Sequence, residues 1–243
     1  MAGKSALIVG ATGQVGRHLL RELLESAQYT RVLEAGRRVT IPAPESTKLE
    51  QKVVDFEKPE ELRAALSEGK WDVVFITLGT TQKAAGSPEK FEKIDREYVL
   101  NAAKAAKSDD PSHPQALLYC SAFGPDPKHS FIYPRSKGLT EQGLAEIGYS
   151  DTIIFRPGFL SGVERTDSRV LESLALGATK FIGLFHAGVQ IDVSVLAKAM
   201  RIAGQVGSTA LPFSAHGTKT NWGGNDFTAI SNKGAGLLAK EKL

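Results

Sequence analysis

The stretch Gly10-Ala11-Thr12-Gly13-Gln14-Val15-Gly16 constrains this chain more than any other. An apolar run, Ala6-Leu7-Ile8-Val9, leads into it, and Leu19, Leu20, Leu23 and Leu24 follow at helical spacing. Strand, glycine turn and helix in that order predict a unit whose turn faces a phosphate. Gly10 lets the chain turn sharply off the strand, Gly13 lets backbone approach a pyrophosphate, and Gly16 lets the helix lie close to the sheet. The helix N-terminus then offers free N–H groups and the positive end of its dipole. A turn that binds nothing could need these glycines for shape alone. The strand before and the helix after favour dinucleotide binding.

Strand and helix signals keep alternating beyond the turn. Strands are expected at residues 31–37, 52–55, 72–79, 115–121 and 152–156. Helices are expected from Pro59, over 87–107 with Ser87 as N-cap and Pro88 at the first position, and over 134–147. Six strands alternating with helices predict an α/β fold, a doubly wound parallel sheet of Rossmann type. The 243 residues suit one such domain, with a core over 5–160 and a small substrate-side extension over 161–243. In that extension helices are expected at 168–176 and 192–204, and the Gly/Asn-rich tail carries no assignable pattern.

Composition excludes several classes. A net charge of +3 without a dense Lys/Arg run argues against a nucleic-acid partner. The single cysteine, Cys120, excludes an internal disulfide framework and fits a reducing compartment. The five histidines are scattered without Cys/His ligand spacing, so no metal site is expected. No apolar run reaches the roughly 20 residues that span a bilayer. The first strand begins so near Met1 that no cleavable leader is expected, and peripheral attachment to a membrane surface stays open.

Three features carry chemistry. Tyr133 and Lys137 lie four apart at a helix start, which puts both side chains on one face. An ammonium there favours the phenolate and lowers the tyrosine pKa, suiting it to acid/base work. Ser121 closes the fifth strand, where a hydroxyl could donate to a carbonyl oxygen. Arg37 and Arg38 end the second strand, about 20 residues past the glycine turn, where an arginine accommodates the 2′-phosphate of NADP and an acid would bind the 2′-hydroxyl of NAD. Glu34 is the only nearby acid and lies inside the strand, so NADP(H) is expected.

Together the Gly-x-x-Gly-x-x-Gly turn, Ser121 and Tyr133-x-x-x-Lys137 resemble the short-chain dehydrogenase/reductase superfamily, in its extended and atypical branches. Gly-Arg-Arg at 36–38, Leu-Gly-Thr-Thr at 78–81 and Asp-Arg-Glu-Tyr-Val-Leu at 95–100 resemble one atypical group in particular. That group includes a human HIV Tat-interacting protein and a fungal protein of the mitochondrial outer membrane. The resemblance covers residues 5–162.

It implies that Gly10, Thr12, Gly13, Gln14, Val15 and Gly16 wrap the pyrophosphate and that Arg37, with Arg38, holds the 2′-phosphate. Asp55 would bind the adenine amino group, Leu78, Gly79 and Thr80 would flank the adenine ribose, and Pro157 would pass the nicotinamide. Tyr133 would be the acid/base, Lys137 would bind the nicotinamide ribose and Ser121 would polarise the carbonyl. The expected function is NADP(H)-dependent oxidation or reduction of a small-molecule alcohol or carbonyl. The alternatives are an NADPH-binding regulatory or scaffold protein with a protein or membrane partner and, last, an isomerase or epimerase. The expected location is cytoplasmic, with peripheral attachment to the mitochondrial outer membrane implied by the resemblance.

Overall fold

The apolar run ahead of the glycine turn is strand β1 (Lys4–Val9), near the middle of an eight-stranded sheet. This computed structural model describes residues 3–162 and 190–242. Strands β2 (Tyr29–Gly36), β3 (Leu49–Val53), β4 (Val73–Ile76), β5 (Ala116–Cys120) and β6 (Asp151–Arg156) join β1 in the order β3-β2-β1-β4-β5-β6, all parallel. The order reverses between β1 and β4, and doubly wound sheets bind ligands at that point, outside the carboxyl ends of the strands.

Helices α1 (Gln14–Glu25), α2 (Pro59–Ser67), α3 (Gln82–Ala85), α4 (Pro88–Glu92), α5 (Tyr98–Ala106), α6 (Ile132–Glu146), α7 (Val193–Val206) and α8 (Asn232–Leu238) cover both faces. Successive β1 residues point to opposite sides of the sheet. Ala6 and Ile8 pack with Leu19 and Leu23 of α1 and Met200 of α7. Leu7 and Val9 belong to the other core, with Leu62 of α2, Val99 of α5 and Leu144 of α6. Both faces being covered is why the strands read as nearly continuous apolar runs.

Three sequence expectations change. Residues 52–55 were expected to form the third strand, which instead spans Leu49–Val53. The helix expected over 87–107 is α4, then a π turn at Lys93–Glu97, then α5. Helix α6 begins at Ile132 rather than Pro134, so Tyr133 lies inside its first turn. A proline fits there because a first-turn N–H has no partner within the helix.

The unassigned tail supplies sheet. After the short parallel pair β7 (Phe159–Ser161) and β8 (Gln190–Asp192), strands β9 (Thr218–Trp222) and β10 (Asn225–Ser231) form a hairpin. Its turn is Gly223-Gly224, both with positive φ (63° and 88°), the backbone that two-residue hairpins require. β10 pairs parallel with β6, and β9 forms the antiparallel edge. The helix expected at 192–204 is α7, while the one expected at 168–176 falls outside the described residues.

Candidate active site

The phosphate turn follows from backbone constraint. Gly10 sits at φ 95°, and a Cβ there would stand 2.6 Å from Leu78 N. A Cβ on Gly16 would stand 2.1 Å from Gly10 O, so α1 can lie this close to β1 only with glycine. Gly13 is the N-cap of α1, with no side-chain cap and no acid in the first turn. The Thr77 hydroxyl donates to Gly10 O at 3.1 Å and pins the turn to the end of β4. Thr12 is exposed, Gln14 half-buried and Val15 buried. A Cβ on Gly13 would meet only Gly10 O at 3.2 Å and Thr77 O at 4.0 Å. This open cradle of backbone at an uncapped helix N-terminus fits a pyrophosphate.

Past β2, Arg37 and Arg38 are exposed at the same edge of the sheet. The Arg37 guanidinium lies 5.9 Å from the Tyr98 ring. Glu34 is turned inward and only 1% exposed. Its Oε1 accepts from Thr40 N at 2.7 Å and Thr40 Oγ1 at 2.8 Å, and its Oε2 from Gln51 Nε2 at 2.7 Å. Both oxygens are engaged within the fold. Asp55 does not close the third strand as expected. Val54 N makes a last bond to Gly36 O, and the chain then turns, with Asp55 Oδ1 accepting from Glu57 N at 2.9 Å.

Leu78, Gly79 and Thr80 follow β4 and bring the turn to the chemistry. A Cβ on Gly79 would stand 3.2 Å from Asp95 Oδ1 and 3.6 Å from Lys137 Nζ. Thr80 N donates to Asp95 Oδ1 at 3.2 Å. Lys137 Nζ donates to Asp95 Oδ1 and to the Tyr119 hydroxyl, each at 3.0 Å, and lies 6.0 Å from the centre of the Tyr133 ring. Tyr133 is 37% exposed and packs 5.9 Å from Phe91. Tyr133 and Lys137 therefore share one face of α6, as their spacing predicts.

The electrostatic outcome differs from the expectation. Desolvation pushes Tyr133 above the ordinary phenol value; Lys137 pulls it down, and Asp95 and Cys120 push it up. Burial would lower Lys137, but Asp95, Tyr119 and Tyr133 hold it well above its ordinary range.

Ser121 also differs. It is buried, and its hydroxyl donates to Glu141 Oε1 at 2.6 Å rather than standing free for a carbonyl. Glu141 lies one turn beyond Lys137 on α6 and is 0% exposed. Arg156 binds Glu141 Oε2 through Nη2 at 2.6 Å and Nε at 3.1 Å. The guanidinium lies 5.0 Å from the Trp222 ring and 5.5 Å from Phe227, so β6 and the C-terminal hairpin meet at this ion pair. Pro157 follows, buried, and Gly158 N donates to Asn232 Oδ1 at 2.9 Å at the start of α8.

Sequence reasoning missed Asp95, Tyr119 and Glu141. Glu141 had a signal, since Tyr133, Lys137 and Glu141 recur every four residues. Asp95 opens the Asp-Arg-Glu-Tyr-Val-Leu stretch, but nothing in its spacing aims it at Lys137, because the π turn that turns it inward breaks helical periodicity.

The chain matches the sequence model of the NAD dependent epimerase/dehydratase family over residues 6–180. It is 37% identical to "Protein HTATIP2" of Rattus norvegicus over 205 residues, covering 82% of this chain and 81% of that protein. It is 32% identical to "Protein fmp52, mitochondrial" of Aspergillus niger over 205 residues, covering 81% and 85%. Among solved structures, the Bordetella bronchiseptica enzyme WbmF in complex with NAD+ superposes with a TM-score of 0.63 at 18% identity, covering 84% of this chain and 70% of that one. A Burkholderia thailandensis oxidoreductase of the short chain dehydrogenase/reductase family superposes with a TM-score of 0.62 at 16% identity, covering 84% and 86%. With this sheet order, this phosphate turn and these relatives, the chain belongs to the NAD dependent epimerase/dehydratase family, within the short-chain dehydrogenase/reductase fold.

Proposed function

We propose that the chain is an NADP(H)-dependent oxidoreductase that interconverts a carbonyl and an alcohol on a small molecule. The supporting observation is a continuous run of contacts from the phosphate turn to the phenol. Thr77 holds Gly10, Gly79 lies against Lys137, and Lys137 sits beside the Tyr133 ring. These residues occupy the carboxyl ends of β1 and β4 and the start of α6, the ligand side of a doubly wound sheet.

Gly10, Thr12, Gly13, Gln14, Val15 and Gly16 would hold the pyrophosphate, with Leu78, Gly79, Thr80 and Asp55 toward the adenosine and Pro157 toward the nicotinamide. When bound, the cofactor supplies or takes up the hydride. Tyr133 gives or takes the proton at the substrate oxygen, and Lys137 has a third hydrogen beyond those given to Asp95 and Tyr119, which would serve the cofactor ribose. Arg37 and Arg38 are exposed while Glu34 is consumed by Thr40 and Gln51, which supports a 2′-phosphate over a 2′-hydroxyl.

One observation favours a second reading, an NADPH-binding regulatory or scaffold protein with little turnover. The Ser121 hydrogen is committed to Glu141, so Ser121 polarises a carbonyl only if that bond is released. The fungal relatives are named mitochondrial, which supports a mitochondrial place for this chain. Among the described residues no helix is long and apolar enough to cross a membrane.

Thermal shift with NADPH and NADH, beside NADPH consumption across a panel of aldehydes and ketones, tests both readings. The enzyme reading expects a larger shift with NADPH and consumption that Tyr133→Phe abolishes. A shift without consumption across the panel favours the regulator, and no shift with either dinucleotide defeats both.

A further inference from the structure

Lys137 does not face Tyr133 as a lone cation. Its ammonium is 3.0 Å from Asp95 Oδ1, in an ion pair whose side chains are 6% and 0% exposed. A carboxylate this deep in the protein is held there by structure. The π turn at Lys93–Glu97 rotates Asp95 out of helical register and into the sheet edge, and Thr80 N donates to the same oxygen. Among the described residues Asp95 Oδ2 has no hydrogen-bond partner, although an unpaired buried acceptor is costly. The pair is therefore not explained as a stabilising contact, because a buried ion pair is weak evidence for stability.

We propose that Asp95 cancels the pull of Lys137 on Tyr133, so that the phenol keeps its proton and the site is built to donate it, for carbonyl reduction rather than alcohol oxidation. This rests on the reading of Tyr133 as the acid/base residue.

Among the described residues the groups that face Tyr133 come from four elements. Lys137 on α6 favours the phenolate. Asp95 on the π turn and Cys120 at the end of β5 oppose it, and the Phe91 ring of α4 adds an apolar wall. The Cys120 thiol is itself pushed up to about 11 by burial, so it carries no charge near neutrality. Tyr119 takes one of the Lys137 hydrogens and stays a neutral phenol, since burial raises it too. Among the described residues the local charge beside Tyr133 is one cation and one anion in contact, a dipole whose field falls faster with distance than that of a free ammonium.

Reduction needs a proton at the carbonyl oxygen. A reduced dinucleotide would supply the hydride that forms the new C–H bond at the carbonyl carbon while the C=O π pair moves to oxygen; the Tyr133 O–H bond breaks, the O–H bond of the product alcohol forms, and the phenolate regains a proton from solvent. Oxidation needs the phenolate at the outset, and Asp95 disfavours it.

Tyrosinate absorbance in the ultraviolet tests this without a substrate. The chain has five tyrosines, and burial pushes Tyr29, Tyr98, Tyr119 and Tyr149 upward, so any tyrosinate formed below the ordinary phenol value belongs to Tyr133. The wild type is expected to show none there. Asp95→Asn, which keeps acceptors for Lys137 and Thr80, is expected to lower the Tyr133 step by about one to two pH units, a change that Tyr133→Phe removes.

If Asp95→Asn does not fold, the Asp95→Asn/Lys137→Met variant decides. Cancellation expects Tyr133 near its wild-type value with both charges gone, whereas an uncancelled Lys137 expects it to rise. A Tyr133-dependent tyrosinate below the ordinary value in the wild type, an unmoved step in folded Asp95→Asn, or a rise in the double variant overturns the proposal. Loss of the enzyme reading is scored separately, by Tyr133→Phe turnover.

Discussion

Ser121 and Glu141 are joined by a 2.6 Å hydrogen bond in which the serine donates, and both side chains are buried. This contact links the end of β5 to α6 and, through Arg156, to the hairpin that closes the sheet. It ties the serine of the expected catalytic set to an ion-pair cluster, with consequences that can be measured.

Glu141→Ala is expected to destabilise the fold by about 3 kcal/mol, the low end for removing one partner of a buried ion pair, because the Arg156 side chain keeps 22% exposure and can reach water. Urea unfolding checks this, and a loss below about 1 kcal/mol would mean that the cluster is not coupled to stability.

The same group gives stability a pH dependence. Burial pushes the Glu141 carboxyl above its ordinary 4.5, with Arg156 and Ser121 pulling it back. The folded state thus holds that proton more tightly than the unfolded chain. The contribution is fully present below about 4.5 and is lost as pH rises through the higher folded value. Glu141→Gln is expected to flatten this part of the stability profile, measured by unfolding at several pH values between the acidic and neutral ranges. A profile parallel to the wild type would contradict the assignment.

Gly13 and Gly16 are expected to fail differently. Gly16→Ala puts a methyl 2.1 Å from Gly10 O and is expected to cost more than about 2 kcal/mol of stability. Gly13→Ala meets nothing closer than 3.2 Å, so its stability change is expected to stay within about 1 kcal/mol while dinucleotide binding is lost. Thermal melts with and without NADPH separate the two.

Arg37→Ala and Arg38→Ala are expected to weaken NADPH binding by about 10-fold or more at the position that holds the 2′-phosphate, the scale of a charge-assisted hydrogen bond, and to leave NADH binding unchanged. Calorimetric titration with both dinucleotides checks the selectivity; equal losses for NADPH and NADH would place neither arginine at the phosphate.

The glycine turn, the alternation of strand and helix, and the pairing of Tyr133 with Lys137 were legible because each is local. Hydrophobic periodicity and turn chemistry act over a few residues, and they gave the doubly wound sheet its first six strands. The hairpin at 218–231 was not read, although Gly223-Gly224 marks its turn, because the edge strand Thr218–Trp222 is polar and lacks a buried alternation. Asp55 was misplaced by two residues, since the end of a strand is set by where its neighbour stops offering partners, here Gly36.

By itself the sequence determined that a glycine turn between strand and helix, a doubly wound sheet and a tyrosine–lysine pair belong to this chain. Only the tertiary structure decided what charges surround that pair. Asp95 meets Lys137 across 42 positions and Glu141 meets Ser121 across 20. The field at the Tyr133 phenol is summed over neighbours in space, and the π turn that brings Asp95 among them leaves no helical period in the sequence.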